Sequence, residues 1–321
     1  MNRAALIFAA LLALALPLSL LAGRVWIDPA TTPNAALILM ELRLPRGVLA
    51  IAIGAGLGAA GAAMQGYLRN PLADPGLFGI APMAALGAVA SFWFGALLTG
   101  AAASWALPGF ALAGAATGMA MLALIAGRTG GIALFTLAGL MIASLAGALT
   151  ALAITLAPNP FALSEIVLWL NGALTDRSWR EVTIAAPLIA LGIVFLALAS
   201  KPLDALTLGD EAARSMGVDT SRLLWLLVLG VGLTVGAGVA VAGIIGFVGL
   251  IVPHLVRPLT DRLPSSLILP SALAGALLVL IADSAVRVLP FITELRLGIA
   301  LSLIGAPFFL WLLLRMRRGL I

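Results

Sequence analysis

The sequence is built from long segments that almost lack charge. The first runs from Ala4 to Gly23, with no ionisable side chain. Segments of similar length follow at Gly47–Leu68, Leu77–Leu98, Ser104–Ala126, Leu134–Leu156, Val182–Ser200, Leu223–Val241, Gly243–Leu259, Leu267–Val288 and Gly298–Leu314. A helix needs ~20 apolar residues to cross a hydrocarbon core ~30 Å thick. The expected fold is therefore an all-α integral membrane protein with about ten transmembrane helices. Hydrophobic residues fill 63% of the 321 positions, enough for that many crossings with little left for a soluble domain. Residues 1–321 are accordingly read as one polytopic transmembrane domain. Charged residues make up 10%, where a soluble protein carries about 25%, which excludes a globular cytoplasmic enzyme. A transmembrane barrel would show alternating segments of ~10 residues instead of unbroken apolar runs. A signal peptide is the rival reading of the first segment, but its apolar core should be only about 7–15 residues, followed by a small-residue cleavage site. No such site follows here, so the segment is read as span 1.

What is missing narrows the chemistry further. There is no Cys, one His (His254) and one Tyr (Tyr67), so thiolate chemistry and a multi-His metal site are excluded, and no cofactor is expected. The single Lys, Lys201, sits in Ala199-Ser200-Lys201-Pro202 without the glycine-rich approach of a phosphate-binding loop. The chain cannot hydrolyse ATP by that route. Its basic cluster, Arg315, Arg317 and Arg318, ends an apolar run and reads as a membrane-topology signal, not as a nucleic-acid surface. Placing the N-terminus inside puts eleven Lys and Arg on the inner side. Seven remain outside: Arg24, Arg43, Arg46, Arg177, Arg180, Arg287 and Arg296. Both termini are thus expected to be cytoplasmic.

An internal echo supports the span count. Gly54-Ala55-Gly56 followed by Ala60-Gly61 recurs as Gly236-Ala237-Gly238 followed by Ala242-Gly243. The two copies lie in spans that run in opposite directions, as inverted-topology repeats do, and the predicted repeat relates spans 2–5 to spans 7–10. Such small residues also let helices approach closely.

Four stretches do more than dissolve in lipid. Arg69-Asn70-Pro71-Leu72-Ala73-Asp74-Pro75-Gly76 cannot continue a helix; it is either a plain turn or a gate at the inner mouth of a pathway. The segment Lys201–Asp219 is the longest inward loop, with Leu206, Leu208 and Met216 as apolar members. There Asp210 is expected to cap a short helix, Glu211 to pair with Arg214, and Gly217 to end the helix in a left-handed conformation. A capped, half-apolar hairpin suits docking better than mere connection. On the outer side, Arg43, Arg46 and Arg287 either form a cationic rim for a soluble partner or pair locally, Arg287 with Asp283 and the other two with Glu41 or lipid phosphate. After span 5, a short outer helix is predicted over Ala162–Leu174.

These landmarks resemble the permease subunits of ATP-binding-cassette (ABC) importers for iron-siderophore, haem and cobalamin uptake, from about Glu41 to Leu314. The resemblance rests on five segments in matching order: Arg43–Arg46, Gly61–Gly66 leading into Asn70–Gly76, Leu208–Gly217, Gly246–His254 and Gly305–Leu313. It implies a subunit in a bacterial inner membrane that pairs with a second copy of itself, two separate ATPase subunits on the cytoplasmic side, and a periplasmic substrate-binding protein outside. It further implies that Gly209, Asp210, Glu211, Arg214 and Gly217 couple to the ATPases. Arg43, Arg46 and Arg287 would dock the binding protein, and Asn70 and Leu72 would form an inner gate. A second gate would lie near Thr129-Gly130-Gly131-Ile132-Ala133, and Arg296 stands where proline is often expected.

Three alternatives remain at this level. An ion-coupled secondary transporter would need ionisable groups near mid-membrane, where this chain has almost none. An intramembrane hydrolase would need a nucleophile with its base, or a metal site. An ABC permease for bare metal ions would share the architecture but not the motifs. Which chelate is carried is not written in these residues.

Overall fold

The computed structural model describes residues 3–94, 101–127, 131–157, 159–290 and 293–318. Residues 95–98 at the end of the third expected span, together with residues 128–130 in the region of the second expected gate, lie outside the described residues. The helices in order are α1 (Arg3–Leu21), α2 (Ala35–Leu37), α3 (Leu44–Tyr67), α4 (Ile80–Phe94), α5 (Ala101–Ala126), α6 (Gly131–Thr155), α7 (Pro160–Leu170), α8 (Trp179–Leu206), α9 (Asp210–Ser215), α10 (Thr220–Ala242), α11 (Val248–Val256), α12 (Pro264–Val288) and α13 (Leu297–Arg318). A π-helical stretch, Ile38–Arg43, joins α2 to α3.

Eight helices among the described residues are long and apolar enough to cross a membrane. The shorter α4 and α11 take the remaining two of the ten expected span positions. The eighth expected span, Gly243–Leu259, is not one continuous helix. Gly243–Phe247 is irregular, and α11 supplies nine helical residues before a 3-10 turn at Arg257–Leu259. Nine residues rise only about 14 Å, less than half of a hydrocarbon core. Phe247 (φ 66°) and Gly243 (φ 72°) both adopt left-handed backbone conformations that interrupt the helix. At Gly243 a side chain would also strike the Trp169 carbonyl oxygen, so glycine is required twice over.

Helices α3 and α10 form the centre; 78% of the most apolar stretch of each is buried. Small residues put them there. A Cβ on Gly54 would collide with the backbone of Gly275 in α12, and a Cβ on Gly275 would collide with Gly54 in return. The echoed segment in α10 is used in the corresponding way, with Gly236 lying against Ala115 of α5. Thus α3 packs on α12 while α10 packs on α5. This exchange of partners is what two copies of one repeat, five spans apart and oppositely directed, should produce.

Two further elements depart from expectation. Helix α8 does not stop at Ser200 but runs through Lys201 and Pro202 to Leu206. Leu203 and Leu206 are buried, and the Asp204 carboxylate accepts the Ser265 amide at the start of α12 (2.8 Å), so tertiary contacts carry the helix past its proline. Leu206 therefore belongs to the core and not to an exposed loop. The short helix expected at Ala162–Leu174 is found at Pro160–Leu170, where Asn159 caps it by accepting the Ala162 amide (2.9 Å).

Candidate functional site

The end of the bundle that carries α9 brings together most of the inner-side residues singled out above. After α3, Arg69 turns the chain with a left-handed backbone (φ 50°). Asn70 Oδ1 accepts the Leu72 amide (3.0 Å), and Asp74 accepts the Gly76 amide (2.7 Å), so the 68–79 turn is stitched by its own side chains. Burial pushes the Asp74 carboxyl above its ordinary pKa, partly offset by the Gly76 amide. Leu72 and Asp74 line an apolar cavity of about 280 Å³, shared with Ile53 and Leu57 of α3, Val235 of α10 and the irregular Gly243–Phe247 stretch. Non-helical backbone at this depth is tolerated where it borders such a cavity. Of the two expected gate residues, Leu72 lines the space and Asn70 holds the turn.

Gln65 carries a role that the sequence did not disclose. Its side chain is 2% exposed and donates toward the carbonyl oxygens of Gly249 (3.2 Å) and Leu250 (3.4 Å), while its Oε1 accepts from Arg257 (2.7 Å). The helix α3 is thereby tied to the half-helix α11. A single buried glutamine inside an apolar run was the available signal.

In α9 the expected cap is different from the one found. The N-cap is Gly209, at φ 106°, and Asp210 is the first helical residue. Asp210 pairs instead with Arg69, 3.2 Å away across 141 residues of chain. Glu211 and Arg214 are exposed, and no salt bridge joins them. Gly217 ends the segment at φ 85°, as expected. Leu208 (68% exposed) and Met216 (63%) flank α9 and give this face an apolar component.

At the opposite end, the three outer arginines converge. The Arg46 guanidinium grips Asp283, with Nε 3.0 Å from both oxygens and Nη2 2.8 Å from Oδ1, and also binds Glu294. Arg287 pairs with Asp283 (3.2 Å) and donates to Ser19 Oγ (2.9 Å) and to the Ser19 (3.0 Å) and Ala22 (3.2 Å) carbonyls. Arg43 donates to the carbonyls of Leu20, Ala22 and Val25, closing the end of α1. The Arg287–Asp283 pair is thus formed as the spacing allowed, and Arg43 and Arg46 are engaged by groups other than Glu41. Burial works against ionised Glu294, but the Arg46 hydrogen bond and charge outweigh it and hold the carboxyl below its ordinary value. All three arginines line one outer cleft of about 440 Å³ together with Arg24 and Arg177. Five guanidinium groups there face the carboxylates of Glu41, Asp176 and Glu294. Arg177 joins the three arginines expected there; its Nε is buried without a hydrogen-bond partner among the described residues, and burial lowers its pKa.

His254 is partly exposed and packs edge-on against Phe308 (5.9 Å between ring centres). Among the described residues, no group of three or more His, Cys, Asp or Glu could hold a metal ion.

The profile of the FecCD transport family matches residues 11–315, nearly the whole chain. The chain belongs to the FecCD transport family. Its similarity to other permeases extends end to end. It is 37% identical over 313 residues to the vitamin B12 import system permease BtuC of Escherichia coli O9:H4, covering 96% of this chain and 94% of that one. It is 38% identical over 281 residues to the Fe(3+) dicitrate transport system permease FecD of E. coli K12, covering 87% and 86%. A solved inward-facing transporter, assigned to the metal-chelate ABC type, superposes with a TM-score of 0.89 at 29% identity over 98% of this chain and 99% of that one. A weaker likeness, TM-score 0.56 at 20% identity over 83% and 89%, relates the fold to PsaBC from Streptococcus pneumoniae. This FecCD permease is the multi-pass membrane subunit of an ABC importer, working with ATPase and binding-protein partners. It is not itself an enzyme, because ATP hydrolysis resides in a separate subunit.

Proposed function

We propose that this permease moves a metal chelate, an iron-siderophore, haem or cobalamin, from a periplasmic binding protein into the cytoplasm. The match across residues 11–315, with B12 and ferric dicitrate permeases among the relatives, is the observation that carries this reading. Iron chelates are the broadest of these classes. The protein sits in a bacterial inner membrane with both termini cytoplasmic, consistent with the excess of Lys and Arg on the α9 side. It works as a homodimer with one ATPase per α9 face. Apolar helix surface is free for a second copy or for lipid, since only 17% of the most apolar stretch of α1 and 28% of those of α6 and α13 are buried within the chain. In this scheme Gly209, Asp210, Glu211, Arg214 and Gly217 form the ATPase contact, and Asn70 and Leu72 form the cytoplasmic gate below the apolar cavity. A reconstituted uptake panel with the purified binding protein and ATPase should give ATP-dependent accumulation of one chelate and none of free iron, zinc or manganese. Accumulation of a bare ion instead, or uptake driven by a proton gradient without ATPase, would refute it.

Docking of the binding protein is assigned to the outer cleft, where Arg43, Arg46 and Arg287 meet Arg177. Carboxylates on the partner would be drawn by the surplus of guanidinium groups and would compete with Glu294 for Arg46. Because Arg46 and Arg287 also hold the outer ends of α3 and α12, and Arg43 closes the end of α1, Arg177→Gln is the cleanest substitution, and Arg43→Gln is read beside a melting control. Each is expected to weaken binding-protein affinity several-fold at low salt. The difference should shrink as added salt shortens the screening length to roughly 3–5 Å. Affinities that stay equal to the parent protein's at low salt would remove the cleft as the docking surface.

A further inference from the structure

Both ends of the Arg69–Asp210 ion pair are fixed by backbone conformations open to few alternatives. Arg69 is a non-glycine residue in the left-handed region, placed directly between the end of α3 and Asn70. Such a conformation persists where the surroundings hold it. Asp210 follows Gly209, whose φ of 106° is open essentially to glycine alone. Between them, Arg69 Nη2 lies 3.2 and 3.3 Å from the two Asp210 oxygens. From Arg69 the chain passes to Asn70, whose side chain holds the Leu72 amide, and Leu72 borders the apolar cavity. The path from α9 to the cavity wall is therefore one ion pair and three residues long, without a slack connection.

The same helix also borders the end of α5 and the start of α6. Tyr67 meets Phe135 edge-on at 5.3 Å, and Phe135 meets Phe78 at 5.4 Å. The end of α3, the end of the 68–79 turn and the start of α6 are thus clamped by three rings. Asp210 and Arg214 share a small cavity of about 60 Å³ with Tyr67, Gly127 and Gly131. A shift of α9 consequently bears on the end of α3 and on the α5 and α6 ends that border this cavity.

We propose that the Arg69–Asp210 pair is the strut through which α9 sets the position of the 68–79 turn, making Arg69 a positioning residue for gating. This rests on the reading of α9 as the ATPase contact. Both partners are partly exposed, with side chains 37% and 50% accessible, so solvent screening leaves the pair a minor contributor to stability. A pair of that kind can still bias a turn between two arrangements if it forms better in one of them. Its removal is expected to uncouple transport without unfolding the protein.

The test uses the assembled transporter in liposomes. Arg69→Gln should co-purify with the ATPase and hydrolyse ATP at the parent rate while uptake falls roughly fivefold or more. Arg69→Lys, which keeps the charge, should retain most uptake. Arg69→Asp should transport poorly while still co-purifying with the ATPase. Parental uptake by Arg69→Gln, or a Lys variant no better than Gln, would overturn the strut. The triple variant Asp210→Ala, Glu211→Ala, Arg214→Ala separates the two levels of the inference. If it loses ATPase association while Arg69→Gln is silent, only the strut fails. If it changes neither association nor uptake, the reading of α9 fails and the strut with it.

Discussion

Replacing Asp283 by asparagine is expected to cost roughly 3–5 kcal/mol, because it leaves buried guanidinium charge without its counterion. Asp283 is completely buried and is gripped by Arg46 from α3 and Arg287 within α12. With Glu294 the parent cluster balances two positive against two negative charges. The asparagine variant leaves it one charge in excess, beside two arginines whose side chains are only 10% and 7% accessible. Asparagine also offers one carbonyl oxygen where the carboxylate accepted from both arginines. Purified Asp283→Asn should melt roughly 5–15 °C below the parent protein, or fail to run as a single species on size exclusion. Adding Arg287→Gln restores neutrality and should recover part of the loss, which separates a charge effect from a packing effect. A single variant that melts with the parent would show that the cluster is held by something other than its charges. The cluster also accounts for three of the seven arginines expected on the outer side: Arg46, Arg287 and Arg43 are bound by the protein's own oxygens.

The sequence made the membrane crossings legible because absence of charge over ~20 residues is itself the physical requirement for crossing. It did not reveal continuity. The run Gly243–Leu259 is as apolar as its neighbours, yet left-handed Gly243 and Phe247 divide it, and hydropathy carries no information about φ. Pro202 pointed to an end that the burial of Leu203 and Leu206 overrode. Local spacing found Arg287 with Asp283, four residues apart. It could not find Arg46 with Asp283, separated by 237 residues, or Arg69 with Asp210, separated by 141. Spacing therefore separates the candidate residues into two groups that the structure also holds at opposite ends of the bundle, while their partners depend on the packing of distant helices. The glycines fared better, since a small residue repeated along a span already states that another backbone comes close.

A large effect of a single added methyl group is expected at Gly54. Its Cβ would meet the carbonyl oxygen and carbon of Gly275 and the Cα of Ala276, all main-chain atoms that no rotamer change can move aside. Gly54→Ala should therefore push α3 off α12 and cost about 1–3 kcal/mol or more, and Gly54→Leu should prevent accumulation of folded protein. Gly147 in α6 provides the contrast, since a Cβ there would meet nothing within 4 Å. Gly147→Ala should be silent or gain up to ~1 kcal/mol from helix propensity. The pair can be compared by thermal melting in one detergent; equal melting of Gly54→Ala and Gly147→Ala would mean that α3 and α12 are free to separate. The point bears on transport, because alternating access needs some helices to move and others to stay. Two helices in backbone contact cannot slide without a collision, so α3 and α12 must travel as one body. The motion is left to elements outside that pair, among them the turn whose Leu72 borders the cavity.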